Sequence, residues 1–172
     1  YINAFLENMD KVPDATQRKR VEGEAHFFRA YYYYILWRRF GGALLIDHTY
    51  NPLTNPEKFP RASYEQMVKF IVDEAEKAQN LLSATNSAAD VGRITSGAAI
   101  MLKAKTYLWA SSTVFQNKTK SYLGFTDDKS QEMLQKARAA HTNWFPLQAT
   151  RRIKFAMNTD KYSLQRTPAS RF

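Results

Sequence analysis

The sequence predicts an all-α protein built as a helical-repeat scaffold of about five helices joined by long loops. Three observations lead to this fold class. Apolar residues recur at intervals of three and four along several stretches, which is the period of an amphipathic helix. Glycine and proline number only six each among 172 residues. Residues that cap helices stand where these stretches begin.

The first part of the chain predicts a helix end followed by a long helix. Residues 1–10 place apolar side chains on one helical face before Pro13 closes the element. Asp14 is a suitable N-cap for a helix that extends to about Phe40. This helix is apolar around most of its circumference, so we expect neighbours to bury it on several sides. Gly41 and Gly42 then end it, because glycine adopts the left-handed cap conformation easily.

The following segment predicts an extended run, a loop and a second long helix. Residues 43–46 are a short apolar extended run, and the three prolines of 47–62 stiffen a loop. Ser63 and Gln66 form a capping box, in which each side chain bonds the backbone N–H of the other residue. The helix that they open continues to about Leu82.

Two further helices complete the predicted scaffold. Thr95 is expected to cap a helix over about 96–112, and another helix covers about 129–142. The helical pairs resemble tetratricopeptide hairpins of about 34 residues. We therefore predict a helical domain over residues 1–148, itself partial, and a poorly defined basic tail over 149–172.

The net charge of +9 raises the question of nucleic-acid binding. Residues 151–172 hold six Lys and Arg against one Asp, so the other 150 residues contribute only +4. Elsewhere bases and acids alternate at helical spacing, which is typical of a solvated face; the pairs are Arg18 with Glu22, Glu65 with Lys69, Asp73 with Lys77, and Glu132 with Lys136. No recognition motif accompanies the charge, so we expect no nucleic-acid partner.

The sequence predicts neither an active site nor a cofactor. Phosphate-binding loops, nucleophile elbows and zinc-protease motifs are absent from it. The absence of cysteine excludes disulfides and thiolate metal sites. His26 lies one helical turn after Glu22, but two ligands make a weak metal site. We therefore predict no catalytic residue and no metal site.

Aromatic residues offer two interpretations. They make up 14% of the chain, and Tyr31 with Tyr34, or Tyr33 with Trp37, could present a flat platform to a sugar ring. Consecutive helical residues point in different directions, however. Packing between helices is therefore the favoured interpretation. The residues alone predict a helical binding or interaction scaffold.

Three segments resemble the SusD/RagB family of outer-membrane nutrient-binding lipoproteins. Residues 23–46 read GEAHFFRAYYYYILWRRFGGALLI, residues 60–82 read PRASYEQMVKFIVDEAEKAQNLL, and residues 92–111 read GRITSGAAIMLKAKTYLWAS. Their order and spacing are similar to those of the family over about residues 1–148. The motif residues are predicted to hold the fold rather than to bind ligand: Gly23, Glu24, Arg29, Gly41, Gly42, Arg93 and Gly97. Arg29, on a mostly apolar helix, should need a buried acceptor.

The resemblance implies a surface lipoprotein that binds an oligosaccharide or another nutrient and performs no catalysis. It further implies delivery to a TonB-dependent (SusC-like) outer-membrane transporter, and attachment to the membrane through a lipid anchor outside this chain. No matched motif is a ligand motif, so the ligand-binding residues stay unknown. The alternative is a generic tetratricopeptide-like module for protein–protein interaction.

Overall fold

The computed structural model describes residues 1–51, 53 and 59–142. Five α-helices occur in this part of the chain: α1 (Ile2–Glu7), α2 (Ala15–Phe40), α3 (Tyr64–Leu81), α4 (Ser96–Ala110) and α5 (Ser130–Thr142). Short 3₁₀ turns and one isolated antiparallel bridge, between Leu44 and Arg61, are the other regular features there. The predicted all-α class is therefore confirmed. No helix in the described ranges combines the length and apolar character needed to cross a membrane. The predicted tail, 149–172, lies outside the described residues.

The helices pack in sequence order, each against the next. α2 and α3 are antiparallel, since the end of α2 at Trp37 contacts Tyr64 at the start of α3, while Gly23 lies against Leu82. α3 and α4 are also antiparallel, since Ser96 N at the start of α4 donates to the Ser83 carbonyl oxygen just after α3, and Lys103 pairs with Glu76 near the middle of both helices. α5 packs on α4 in turn. These consecutive helical hairpins give the tetratricopeptide-like scaffold that the sequence predicts.

Two of the three predicted N-caps form as expected. Asp14 Oδ1 accepts a hydrogen bond from Gln17 N at 2.8 Å. Ser63 and Gln66 make both bonds of the capping box. The third prediction is wrong in one respect: Thr95 occupies the N-cap position of α4, but its side chain makes no capping bond. Each bonded cap satisfies a backbone N–H that the helix itself leaves without an acceptor.

An aromatic core joins α2, α3 and the α4–α5 connection. Trp37 and Tyr64 are each 1% exposed, with ring centroids 5.0 Å apart. Phe115 and Phe125, from the α4–α5 connection, each lie 5.2 Å from the Tyr64 ring. Burial raises the pKa of the Tyr64 hydroxyl far above its usual range, so this side chain stays neutral inside the core.

The expectation that neighbours bury α2 on several sides is wrong for the described residues. One face of α2, with Ala30, Tyr34 and Trp37, is buried against α3 and the core. The opposite face leaves Tyr32 and Phe40 more than half exposed. Overall apolarity of a helix does not tell how many neighbours it has, because that number depends on where the other elements lie.

Of the four acid–base pairs noted from the sequence, Glu132–Lys136 forms and the other three do not. Arg18 donates to the Val12 carbonyl oxygen, and Lys77 pairs with Glu74. Glu65 pairs with Lys129, at the approach to α5, rather than with Lys69. Lys69 pairs with Asp73 instead. Helical spacing brings several candidate partners within reach, and contacts from another helix decide among them.

In the turn after α2, the backbone at Gly41 and Gly42 lies very close to the backbone of other segments. Gly41 has φ 66° and ψ −127°, so its φ is positive as expected, but its ψ lies outside the left-handed helical region. The Gly42 N–H donates to the carbonyl oxygen of Tyr122 at 2.6 Å. A Cβ on Gly41 would lie 2.2 Å from that same oxygen, and one on Gly42 would lie 2.0 Å from the Ala62 oxygen. Both positions therefore have no room for a side chain.

This geometry predicts that Gly41→Ala is more destabilising than Gly92→Ala. Both glycines have positive φ, but a Cβ on Gly92 would meet nothing within 4 Å. The Gly92 variant therefore reports backbone strain alone, about 1–2 kcal/mol. The Gly41 variant adds a backbone clash, and its free energy of unfolding should fall by about a further 1–3 kcal/mol. Urea unfolding of both variants measures the difference, and equal losses would contradict the clash.

Candidate functional site

A buried ionic cluster joins α2 to α3 around Glu74. Glu74 is 1% exposed, and its Oε2 accepts from Arg29 Nε at 2.8 Å. The same oxygen lies 2.6 Å from His26 Nδ1. Its Oε1 accepts from Lys77 Nζ at 2.8 Å. The predicted need of Arg29 for a buried acceptor is thus confirmed, and the acceptor is Glu74.

His26 was considered with Glu22 as a weak metal pair, but in the structure its ring contacts Glu74. Within the described ranges, no group of three or more His, Asp and Glu side chains could hold a metal ion. The chemistry of His26 here is therefore that of a hydrogen-bonding partner to a buried carboxylate.

Arg29 extends the cluster to two further elements. Its Nη1 donates to Asn3 Oδ1 on α1 at 3.2 Å and to the Asp47 carbonyl oxygen at 3.1 Å. Asn3 Nδ2 in turn donates to the carbonyl oxygens of Ile46 and His48, both at 2.9 Å. One guanidinium thus ties α1, α2, α3 and the segment after α2 together.

The charge state of Glu74 follows from two opposing effects. Burial alone would raise the pKa of its carboxyl group, because burial disfavours the charged form. Hydrogen bonds from His26, Arg29 and Lys77 outweigh burial and hold the pKa at about 2. Glu74 is therefore a carboxylate at neutral pH and compensates the buried charge of Arg29.

A second ion pair fastens the α3–α4 connection to α2. Arg93 donates through Nε to Glu24 Oε1 at 2.8 Å and through Nη2 to Glu24 Oε2 at 2.7 Å. This two-bond geometry is the strong form of an arginine–carboxylate pair. Asp90 bonds Arg20 of α2 nearby, at 3.0 Å. The connection thus meets the first half of α2 through charged contacts.

Six of the seven motif residues fall at three junctions. Glu24 and Arg93 bond each other, and Gly23 lies beside them, where a Cβ would come 2.9 Å from Leu82 Cγ. Arg29 belongs to the Glu74 cluster. Gly41 and Gly42 form the turn against Tyr122 described above, and Gly97 is buried in α4. From these contacts we propose that the seven motif residues hold the fold, as predicted.

Sequence reasoning missed Glu74 itself. A signal for it existed, because Glu74 falls within the apolar stripe of α3 that includes Ile71, Ala75 and Ala78. A carboxylate at such a position requires a buried cation. Arg29, on the mostly apolar α2, requires a buried acceptor in the same way, so Glu74 and Arg29 could have been predicted to pair.

The aromatic residues of α2 divide between core and surface. Tyr34 and Trp37 are 3% and 1% exposed, so packing is the correct interpretation for them. Tyr31 and Tyr32 are 42% and 57% exposed, so no described helix buries these two. The two platforms considered from sequence, Tyr31 with Tyr34 and Tyr33 with Trp37, do not form. Tyr34 and Trp37 are buried, and the Tyr33 hydroxyl is bonded to Ile46.

An open groove lies beside the exposed face of α2. Its volume is about 670 Å³, and it is lined by Tyr32, Tyr33, Leu36, Phe40, Gly42, Ala43, Leu44, Ile46 and Arg61. Arg61 is the charged member of this lining, and its Nε and Nη2 already donate to the carbonyl oxygens of Gly42 and Phe40. The lining holds no carboxylate or imidazole, so it favours apolar contact over proton transfer.

Fold and contacts together define a tetratricopeptide-like scaffold with a buried ionic cluster around Glu74 and a partly exposed Glu24–Arg93 pair. Residues 1–108 match the profile of a SusD-like family described as "Starch-binding associating with outer membrane". The chain therefore belongs to the SusD-like family, and the resemblance noted from its sequence is confirmed.

Solved structures agree with this assignment. A SusD-like protein from Bacteroides fragilis is 28% identical, with a TM-score of 0.66 over 85% of this chain and 24% of its own. A laminarin-binding SusD-like protein is also 28% identical, with a TM-score of 0.59 over 64% of this chain and 24% of its own. Surface glycan-binding protein A from Bacteroides uniformis, 22% identical, has a TM-score of 0.55 over 63% of this chain and 24% of its own, and it supports the fold alone.

The chain spans about a quarter of the length of these structures. No match was found among curated protein sequences.

The ionic cluster predicts that Glu74→Gln is strongly destabilising. The substitution keeps the shape of the side chain but leaves the buried Arg29 guanidinium without a countercharge. Loss of one partner of a buried pair costs about 3–5 kcal/mol. The matched control is Glu76→Gln, two residues on in α3, whose carboxylate is 56% exposed and 3.8 Å from Lys103. Chemical denaturation should show less than about 1 kcal/mol for the control; comparable losses would contradict a special role of Glu74.

The lowered pKa of Glu74 predicts a pH dependence with a defined sign. The carboxyl titrates near 2 in the folded protein and near 4.5 when unfolded, so its contribution is complete above about pH 5 and falls as the pH drops toward 2. The stability gap between wild type and Glu74→Gln should therefore narrow by about 2 kcal/mol between pH 7 and pH 3. Urea unfolding at both pH values tests this, and a gap that stays constant would show that Glu74 does not titrate in this way.

Proposed function

We propose that the protein to which this chain belongs captures an oligosaccharide or another nutrient at the outer-membrane surface and performs no catalysis. The observation that carries the proposal is the match of residues 1–108 to a family described as starch-binding and outer-membrane-associated. The laminarin-binding relative, at 28% identity, supports a carbohydrate as the ligand class. Delivery of the ligand to a TonB-dependent (SusC-like) transporter, and attachment through a lipid anchor outside these residues, complete the proposal.

The contacts of the described residues support a role for these helices as a scaffold in this function. The ionic side chains of the family motifs are engaged within the scaffold: Glu24 and Arg93 bond each other, and Arg29 bonds Glu74, Asn3 and a backbone oxygen. The groove beside α2 offers few polar atoms that lack a partner. A sugar needs hydrogen bonds to its hydroxyls as well as apolar contact. We therefore infer that most ligand contacts come from parts of the protein outside residues 1–142.

Calorimetric titration of the full-length protein tests ligand capture. The probes are laminarin, maltooligosaccharides of starch and a xyloglucan oligosaccharide. We expect binding of at least one of them by the full-length protein and little or none by residues 1–172 alone. Equal affinity of the 172-residue chain would place the ligand site in the described scaffold. If an interaction module without glycan affinity were the correct alternative, the full-length protein would bind none of the probes.

Affinity purification from outer membranes tests the transporter partner. A tagged full-length protein should recover a TonB-dependent transporter, identified by mass spectrometry, at near-equal amounts. The control is the same protein with the cysteine that would carry the proposed lipid anchor replaced by serine, which should lose its membrane attachment. Recovery of cytoplasmic proteins in place of a transporter would contradict the proposal.

A further inference from the structure

The imidazole of His26 turns one ring nitrogen toward the buried carboxylate of Glu74. Nδ1 lies 2.6 Å from Glu74 Oε2, and the two side chains are only 11% and 2% exposed. A neutral imidazole carries a single ring N–H, on either Nδ1 or Nε2. The positions of the heavy atoms alone do not distinguish these tautomers. The partner of each nitrogen therefore decides which tautomer the folded protein holds.

The cations around Glu74 leave its oxygens able only to accept hydrogen bonds. Arg29 Nε donates to Oε2 at 2.8 Å, and Lys77 Nζ donates to Oε1 at 2.8 Å. These two cations favour the ionised carboxylate, which has no proton to give. A separation of 2.6 Å between Nδ1 and Oε2 needs a hydrogen between the two atoms, because their lone pairs would repel at that distance. That hydrogen must come from His26.

We propose that the fold holds His26 in the Nδ1–H tautomer, so that its imidazole is a permanent donor to Glu74 and takes up any further proton at Nε2. In this tautomer Nε2 carries the lone pair of the ring. A proton that binds there converts the ring into an imidazolium and leaves the Nδ1–H in place. The hydrogen bond to Glu74 therefore does not depend on the charge of the ring.

The charged groups around this imidazole agree with the assignment. On α2, Glu22 precedes it by four residues and Arg29 follows it by three, which is about one helical turn in each direction. From α3, Glu74 and Lys77 complete the cluster. Asp47, after α2, meets Arg29 through its carbonyl oxygen. With the proton on Nε2 instead, Oε2 would face a bare Nδ1 and would keep Arg29 as its one donor among the described residues.

The assignment makes His26 a positioning residue for Glu74. Oε2 accepts from His26 and from Arg29, so two side chains one turn apart on α2 fix the carboxylate of α3. A contact that required the imidazolium would be lost as the pH rises. A contact made by Nδ1–H is kept by the neutral and the charged ring alike. The junction of α2 and α3 therefore retains this donor throughout the range in which histidines change charge.

Nitrogen-15 NMR of the full-length protein, labelled at histidine, reads the tautomer directly. Couplings between ring nitrogens and ring carbon-bound protons distinguish Nδ1–H from Nε2–H, and the signals that vanish in His26→Asn belong to His26. From about pH 5 to pH 9, where histidines change charge, Nδ1 should stay protonated and any change should fall on Nε2. The protein unfolded in urea is the control, and its histidines should show the tautomer mixture of free imidazole. A bare Nδ1, or two comparably populated tautomers in the folded protein, would overturn the proposal.

A matched pair of variants tests the donor separately. The amide nitrogen of His26→Asn takes the position of Nδ1, whereas His26→Leu has the same branched shape and no donor. Hydrogen exchange of the full-length protein, followed by mass spectrometry, reports local opening of α2 and α3. We expect at least tenfold faster exchange in the Leu variant than in the Asn variant, and equal exchange would overturn the role as a donor. Neither readout depends on glycan binding, so failure here is distinguishable from failure of the proposed function.

Discussion

The packing of this scaffold depends on one buried carboxylate. Glu74 enters the interface between α2 and α3 with Arg29, His26 and Lys77 as its partners. A charge buried without a partner would be far more costly than any neutral residue, so the cluster can exist only when both helices are in register. The same guanidinium reaches α1 and the segment after α2. One set of charges thus fixes the position of four elements at once, where apolar contacts alone would tolerate sliding.

Two further junctions add to this constraint, and each uses a different kind of contact. The Glu24–Arg93 pair holds the α3–α4 connection against the first half of α2. The glycines after α2 let the backbone of Tyr122 approach so closely that no side chain fits. Between these junctions, the aromatic core around Trp37 and Tyr64 fills the remaining space. These contacts support the proposal that the motifs shared with the SusD-like family hold the scaffold together.

The engagement of the motif residues in these contacts bears on the function of the described helices. A motif side chain that is bonded within the scaffold is not free to recognise a ligand, and on α2 the described residues leave Phe28, Tyr32 and Phe40 exposed. Ligand capture is therefore proposed for the whole protein, while the described helices supply a rigid support.

The sequence by itself determined the helical class, the family, the caps at Asp14 and Ser63, and the turn at Gly41 and Gly42. These features depend on local periodicity and on backbone chemistry within a few residues. It also showed that Arg29 needs a buried acceptor. Only the tertiary structure decided that the acceptor is Glu74, which lies 45 residues away, and which of the α2 aromatics are buried. Partners across helices depend on how the helices are juxtaposed, and helical spacing within one segment cannot specify that.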